Sequence, residues 1–73
     1  MQIVVNGTPR AAAPGSTVAS LLAELSIRAE RVAVERNLDI VAKERFADTA
    51  LAEGDRIEII QFVGGGAPQR VTA

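Results

Sequence analysis

The sequence contains no cysteine and no histidine. These two absences exclude disulfide bonds, a cysteine nucleophile, a histidine base and the nitrogen and sulfur ligands of zinc. Acidic residues and lysine remain, but they are scattered along the chain and form no group that could run a reaction alone. No catalytic residues and no metal site are therefore expected, and another protein must supply the catalysis if this chain takes part in a reaction.

Aromatic residues and excess charge are also scarce. Only Phe46 and Phe62 are aromatic, and the formal net charge is −1. Nucleic-acid binding needs a basic surface, and single strands also need stacking aromatics, so no nucleic-acid partner is expected. No apolar run approaches the roughly 20 residues of a membrane helix, and residues 1–5 lack the charged and apolar regions of a signal peptide. These features predict no membrane association and a cytoplasmic location.

The first half of the 73-residue chain predicts a hairpin followed by a helix. Residues 2–5 are an apolar, β-branched run, and Asn6-Gly7 favours a type I′ turn because both residues tolerate positive φ. Residues 8–12 form the expected return strand. Ser16 is a suitable N-cap for a helix over residues 17–25. Apolar side chains recur along one face of that helix, at Val18, Leu21, Leu22 and Leu25.

The second half predicts short elements that lead to a long last strand. Asp55, after Gly54, is expected to order the turn before that strand. Phe46 is expected to reach the core from a single helical turn. The predicted elements are a strand over residues 32–36, a turn over 37–39, a short strand over 40–41, a helical turn over 43–47 and the last strand over 56–62.

One helix can cover one face of a sheet. Placing the first and last strands side by side gives an α+β roll, a mixed sheet of four to five strands packed on one main helix. The residues expected to fill its core are Ile3, Val5, Val18, Leu21, Leu22, Leu25, Val32, Val34, Ile57 and Ile59. In the same arrangement Val4, Ile60 and Phe62 point away from the helix and would cluster as an apolar docking surface, continued by Val63.

This element order with a glycine-rich end resembles the β-grasp fold of ubiquitin and its relatives. Within that group the chain is most similar to the family of thiamine-biosynthesis sulfur carrier proteins, over residues 1–66. The stretches that carry the resemblance are Asn6-Gly7, Val34-Glu35-Arg36-Asn37, Lys43-Glu44-Arg45-Phe46, Gly54-Asp55, Ile57-Glu58-Ile59-Ile60 and Phe62-Val63-Gly64-Gly65-Gly66.

The resemblance implies a function for the glycine run. The family's final glycine corresponds to Gly66, and an E1-like adenylyltransferase would use ATP to adenylate its carboxylate. Sulfur from a donor such as a cysteine desulfurase would then give a thiocarboxylate, which thiazole synthase uses. The carrier itself would be a protein co-substrate and not an enzyme, and it would bind no cofactor. Gly64 and Gly65 would give the tail access to a narrow active site, because residues without side chains are thin and conformationally free.

The chain departs from the family after Gly66, where residues 67–73 follow. Gly66 has no free carboxylate as encoded, so a processing protease would have to remove this extension, which is expected to be mobile. Several alternatives stay open on the residues alone. The chain could carry sulfur for molybdopterin or another pathway, modify other proteins through an isopeptide bond, or act as an interaction module whose glycine run is only a linker. Arg36, Lys43 and Arg45 could bind an anion or form a solvated face.

Overall fold

The computed structural model describes residues 1–62 and the backbone of residues 68–70. Two short 3₁₀ turns, Ala29–Arg31 and Lys43–Arg45, connect the main elements. In chain order the main elements are β1 (Gln2–Val5), β2 (Thr8–Ala11), α1 (Val18–Glu24), β3 (Val32–Arg36), β4 (Asp39–Val41), β5 (Arg56–Phe62) and β6 (Pro68–Arg70). None of the helices in this part of the chain is long and apolar enough to cross a membrane.

The sheet has the order β2-β1-β5-β3-β4. β1 and β5 run parallel, with Val4 opposite Arg56 and Val5 opposite Ile57, while the other neighbours in this order are antiparallel. The predicted mixed sheet on one helix, with the first and last long strands side by side, is therefore confirmed.

The β1–β2 hairpin turns at the predicted dipeptide. Asn6 has φ +48° and Gly7 has φ +83°, and Val5 is paired with Thr8 across a two-residue loop. Positive φ at both loop positions is what a type I′ turn requires. The choice of Asn and Gly thus fixes the place at which the chain leaves β1.

The helix begins one residue later than predicted. Thr17, and not Ser16, is the N-cap: its hydroxyl accepts from the Ser20 N–H, and the Ser20 hydroxyl accepts from the Thr17 N–H. This reciprocal pair is a capping box in which serine takes the place of the usual glutamate or glutamine. Ser16 instead donates to the Ala13 carbonyl at 2.6 Å.

The core lies between the sheet and α1. All of the predicted core residues except Leu25 are buried, and Leu25 is only partly buried because it forms the C-cap of the helix. Phe46 and Leu51 complete the core from the loop that precedes β5. The loop therefore contributes buried side chains to the core between the helix and the sheet.

Part of the extension pairs with the sheet, which its sequence did not lead us to expect. Pro68–Arg70 forms a sixth strand, which pairs antiparallel with the last three residues of β5. The physical reason is an open edge, since β1 pairs with β5 only as far as Ile57. Beyond that point the side of β5 away from β3 has room for another strand, and β6 takes it.

Candidate functional site

The start of β5 is held by a polar cluster around Asp55. This carboxylate is only 7% exposed and accepts from the Asn37 side-chain amide at 3.0 Å and from the Ala52 N–H at 2.8 Å. Asn37 Oδ1 in turn accepts from the Arg56 N–H at 2.9 Å. The prediction that Asp55 orders this turn is confirmed, and the cluster fixes where the last strand begins.

Two of the basic residues considered as anion ligands have structural contacts. Arg36 donates to the Ala50 carbonyl at 2.8 Å and lies 3.9 Å from an Asp55 oxygen. Lys43 donates to the Glu30 carbonyl at 2.9 Å. Arg36 ties a loop to the sheet and Lys43 ties the two 3₁₀ turns together, which favours a structural role over anion binding.

On the side of β5 that faces β1, the backbone of Ile59 is hydrogen-bonded by a side chain and not by another strand. The Ile59 N–H donates to Asn6 Oδ1 at 2.7 Å, and Asn6 Nδ2 donates to the Ile59 carbonyl at 3.1 Å. The backbone of β1 turns away at Asn6, so its side-chain amide continues the parallel ladder by one further step. The segment from Ile60 onward therefore projects past the end of β1.

The outward face of this projecting segment carries the predicted docking residues. Phe62 is 47% exposed, and Ile60 is partly exposed and lies opposite Ala33 on β3. Side chains two apart on a strand share a face, so these three residues form one apolar patch. We call Ala33, Ile60 and Phe62 the docking patch.

Val4 does not join the docking patch. It lies opposite Arg56, four residues before Ile60, which is roughly 13 Å along the strand. Its neighbour across β2 is Pro9. The first and last strands are adjacent as predicted, but their register separates Val4 from the other predicted docking residues.

Acidic side chains border the docking patch on the same face. Glu35 on β3 and Glu58 on β5 are directly opposite each other. Like charges in this position repel, which lowers the stability of a strand pair. The docking patch, at the end of β5, is thus bordered by two acidic residues on the side toward the start of that strand.

The glycine run lies outside the described residues. Val63, Gly64, Gly65 and Gly66 follow Phe62 directly, so Phe62 of the docking patch is the last described residue before the glycine run. Their assigned roles in docking, access and sulfur carriage remain predictions. The division into a carrier domain over 1–66 and an extension over 67–73 also remains a prediction.

Sequence reasoning missed one exposed apolar pair at the opposite end of the sheet. Leu38 and Ile40, on the β3–β4 hairpin, are 88% and 79% exposed. Leu38 has φ +75°, a conformation that costs energy for a bulky L-residue. Ile40 lines a shallow groove together with Arg36 and Arg45. The available signal was Leu38 itself, an apolar residue in the middle of a predicted turn.

A mixed sheet wrapped around one helix, with parallel first and last long strands and a glycine run after the last strand, defines the ubiquitin-like β-grasp class. A sequence profile described as "ThiS family" matches residues 3–66. The chain belongs to the ThiS family.

Curated and solved relatives agree with this placement. The sulfur carrier protein ThiS of Escherichia coli is 36% identical over 66 residues, which are 90% of this chain and 100% of that protein. The crystal structure of the thiamine biosynthesis protein (ThiS) from Geobacter metallireducens is similar with a TM-score of 0.78 at 38% identity, covering 90% of this chain and 100% of that one.

A longer relative matches more of the chain. The thiazole synthase of Paramagnetospirillum magneticum is 46% identical over 69 residues, 94% of this chain but only 21% of that protein. The chain thus spans about a fifth of the length of this relative. A match over 69 of 73 residues necessarily extends beyond Gly66, so the likeness includes residues of the extension.

Proposed function

We propose that this chain carries sulfur for the formation of the thiazole ring of thiamine, on the carboxylate of Gly66 after the residues that follow it are removed. The observation that supports this most is the extent of the family match, which ends at residue 66. That residue is the last of the three glycines. The end of the family region therefore coincides with the glycine that is proposed to carry the sulfur.

The proposed chemistry begins with activation of a poor electrophile. A carboxylate resists attack until one of its oxygens becomes part of a good leaving group, so an E1-like adenylyltransferase transfers AMP from ATP to Gly66 and releases pyrophosphate. A persulfide sulfur from the donor, such as a cysteine desulfurase, then displaces AMP. A thiol then breaks the resulting S–S bond and leaves the thiocarboxylate. This thiol must come from a partner, because the chain has no cysteine of its own.

The chain contributes shape and position to these steps, and its partners contribute catalysis. An acyl adenylate must be enclosed to exclude water, and Gly64, Gly65 and Gly66 have no side chains to obstruct a narrow entrance. ATP is held in the partner's site in this account. The sheet holds the last long strand close to the glycine run, because β5 is paired with β3 from Ile57 to Gln61.

The docking patch is the proposed contact with the adenylyltransferase. Ile60 and Phe62 offer apolar surface directly before Val63 and the reactive tail, and the carboxylate of Glu35 lies beside it on β3. A partner that fits this surface presents an apolar residue flanked by basic ones. Val4, at the far end of the same face, would contact only the margin of such a partner.

Thiazole synthase is the proposed acceptor of the sulfur. The support is the relative from Paramagnetospirillum magneticum, in which a region similar to almost all of this chain belongs to a protein named thiazole synthase. Joining a carrier-like region to a synthase in one chain is a natural arrangement when the two act in sequence. The family placement also favours thiamine over the molybdopterin alternative.

Removal of residues 67–73 by a processing protease is the remaining requirement. Mass spectrometry of the protein isolated from its native host tests the whole proposal. We expect a form that ends at Gly66 and is heavier by the difference between one sulfur and one oxygen. Covalent adducts of the chain on other proteins would indicate a modifier instead, and an unchanged full-length chain under thiamine starvation would indicate an interaction module.

A further inference from the structure

The two sides of β5 are occupied differently along its length. β3 runs beside it from Ile57 to Gln61. On the other side β1 pairs with it only at Arg56 and Ile57, and the Asn6 amide extends this pairing to Ile59. Within the described residues, β6 is the element that occupies that side beyond Ile59.

The alternation of backbone groups identifies the residue that β6 covers. The carbonyls of Asp55 and Ile57 accept from the N–H groups of Val4 and Asn6, so odd-numbered residues direct their polar groups toward β1. Gln61 is the next residue of this series, and the register pairs it with Gln69. Gln61 and Gln69 are therefore the hydrogen-bonded pair of the β5–β6 ladder.

We infer that β6 is an intramolecular placeholder: it occupies the open edge of β5 at Gln61, which receives an extended segment of the activating partner once the extension has been released. This inference rests on the proposed function for its biological role, although the pairing itself does not. An open strand edge is a template for another extended chain, and peptides commonly bind proteins by adding a strand to such an edge.

The position and the weakness of the pairing both fit a placeholder. Gln61 precedes Gly66 by five residues, a span of at most about 17 Å in an extended chain. A partner strand held at Gln61 therefore lies within reach of the site that receives the tail. Among the described residues this ladder contains one hydrogen-bonded pair, and each bond of such a pair contributes little net stability, so the pairing can open readily.

The uncut chain is then inactive for two separate reasons. Gly66 has no free carboxylate, and the edge beside the docking patch is already occupied. Cleavage after Gly66 removes both obstacles together, because β6 leaves with the extension. If β6 is a placeholder, substitutions within it should change how the uncut chain binds its partner, whereas substitutions in a passive tail should not.

Hydrogen exchange at single amides tests the pairing without any partner. We expect the Gln61 amide to exchange about tenfold more slowly in the full-length chain than in a chain ending at Gly66. The Ile59 amide, bonded to Asn6 in both forms, is the internal control and should stay equally protected. Equal exchange at Gln61 in the two chains would overturn the inference.

A proline variant tests the placeholder role in the uncut chain. Gln69→Pro removes the N–H opposite Gln61, whereas Gln69→Ala keeps it and serves as the matched control. Titrated with the E1-like adenylyltransferase of the same host, full-length Gln69→Pro should bind about tenfold more tightly than wild type, and Gln69→Ala should bind like wild type. Equal affinity of all three would overturn the placeholder role.

Failure of the placeholder role can be distinguished from failure of the proposed function. All three proteins keep Gly66 in a peptide bond, so none of these measurements depends on adenylation. If Gln69→Pro binds more tightly but a chain ending at Gly66 is never adenylated, the proposed carrier chemistry fails and the placeholder stands.

Discussion

Asn6 and Ile59, 53 residues apart in sequence, exchange two hydrogen bonds between a side-chain amide and a backbone amide. In a parallel ladder those bonds would come from the backbone of β1, but β1 has already turned toward β2. One asparagine therefore serves two purposes. It adopts the positive φ that the hairpin requires, and it completes the last strand at the point where the first strand ends.

Replacing Asn6 should destabilise the fold at both of these points. Asn6→Ala leaves the N–H and the carbonyl of Ile59 without their partners, so we expect a loss of about 2–4 kcal/mol in the free energy of unfolding. Asn6→Asp keeps the acceptor and loses the donor, and it should fall between Ala and wild type. Urea denaturation measures both. A loss in Asn6→Ala no greater than that in Thr8→Ala, an exposed position of the same hairpin, would contradict this account.

Two leucine-to-alanine variants test the packing of the helix. Leu22→Ala removes a side chain buried between α1 and the sheet, and it should cost about 2–5 kcal/mol. Leu38→Ala makes the same chemical change at an exposed position and should change stability by less than about 0.5 kcal/mol. Comparable losses for the two variants in thermal and urea denaturation would mean that the core is wrongly placed.

Leu38 itself should be improvable. Its φ of +75° is unfavourable for a leucine, whereas asparagine tolerates this region. We expect Leu38→Asn to raise the free energy of unfolding by roughly 0.5 kcal/mol, measured by the same urea titration. A loss of stability in this variant would show that the Leu38 side chain makes contacts that its exposure does not reveal.

The docking patch can be tested by adding charge. Phe62→Asp should leave folding intact, because this side chain is half exposed. It should weaken binding to the E1-like adenylyltransferase at least about thirtyfold, since it places an unpaired charge in a desolvated contact. Leu38→Asp, at the other end of the sheet, is the control and should bind normally in calorimetry. If both variants bind like wild type, the interface lies elsewhere.

Much of the fold could be predicted because local signals and packing agree. The Asn6-Gly7 turn, the helical spacing of Val18, Leu21 and Leu22, and the alternation in β3 and β5 each point to the element that forms. Val4 shows why the docking face could be predicted only in part. The alternation of side chains along a strand predicts which face of the sheet Val4 occupies. The distance between Val4 and Ile60, however, depends on the register between β1 and β5, and no local sequence pattern indicates that register.

Two further features depend on the tertiary structure. The strand Pro68–Arg70 forms because β5 extends beyond β1, and the sequence of the extension alone shows no strand pattern. The role of Asn6 at Ile59 likewise appears only when the last strand lies beside the first. Both features lie on the side of β5 that the backbone of β1 leaves open, on the approach to the tail on which the proposed function depends.

The central claim is that the carboxylate of Gly66 is the atom group that becomes activated. ATP–pyrophosphate exchange with the E1-like adenylyltransferase of the same host tests it on three proteins: the full-length chain, the chain ending at Gly66, and that shorter chain with Gly66→Ala. Only the chain ending at Gly66 should support rapid exchange, because the full-length chain has no free carboxylate there and a methyl group beside the carboxylate obstructs a narrow site. Exchange with the uncut full-length chain at the same rate would contradict the claim.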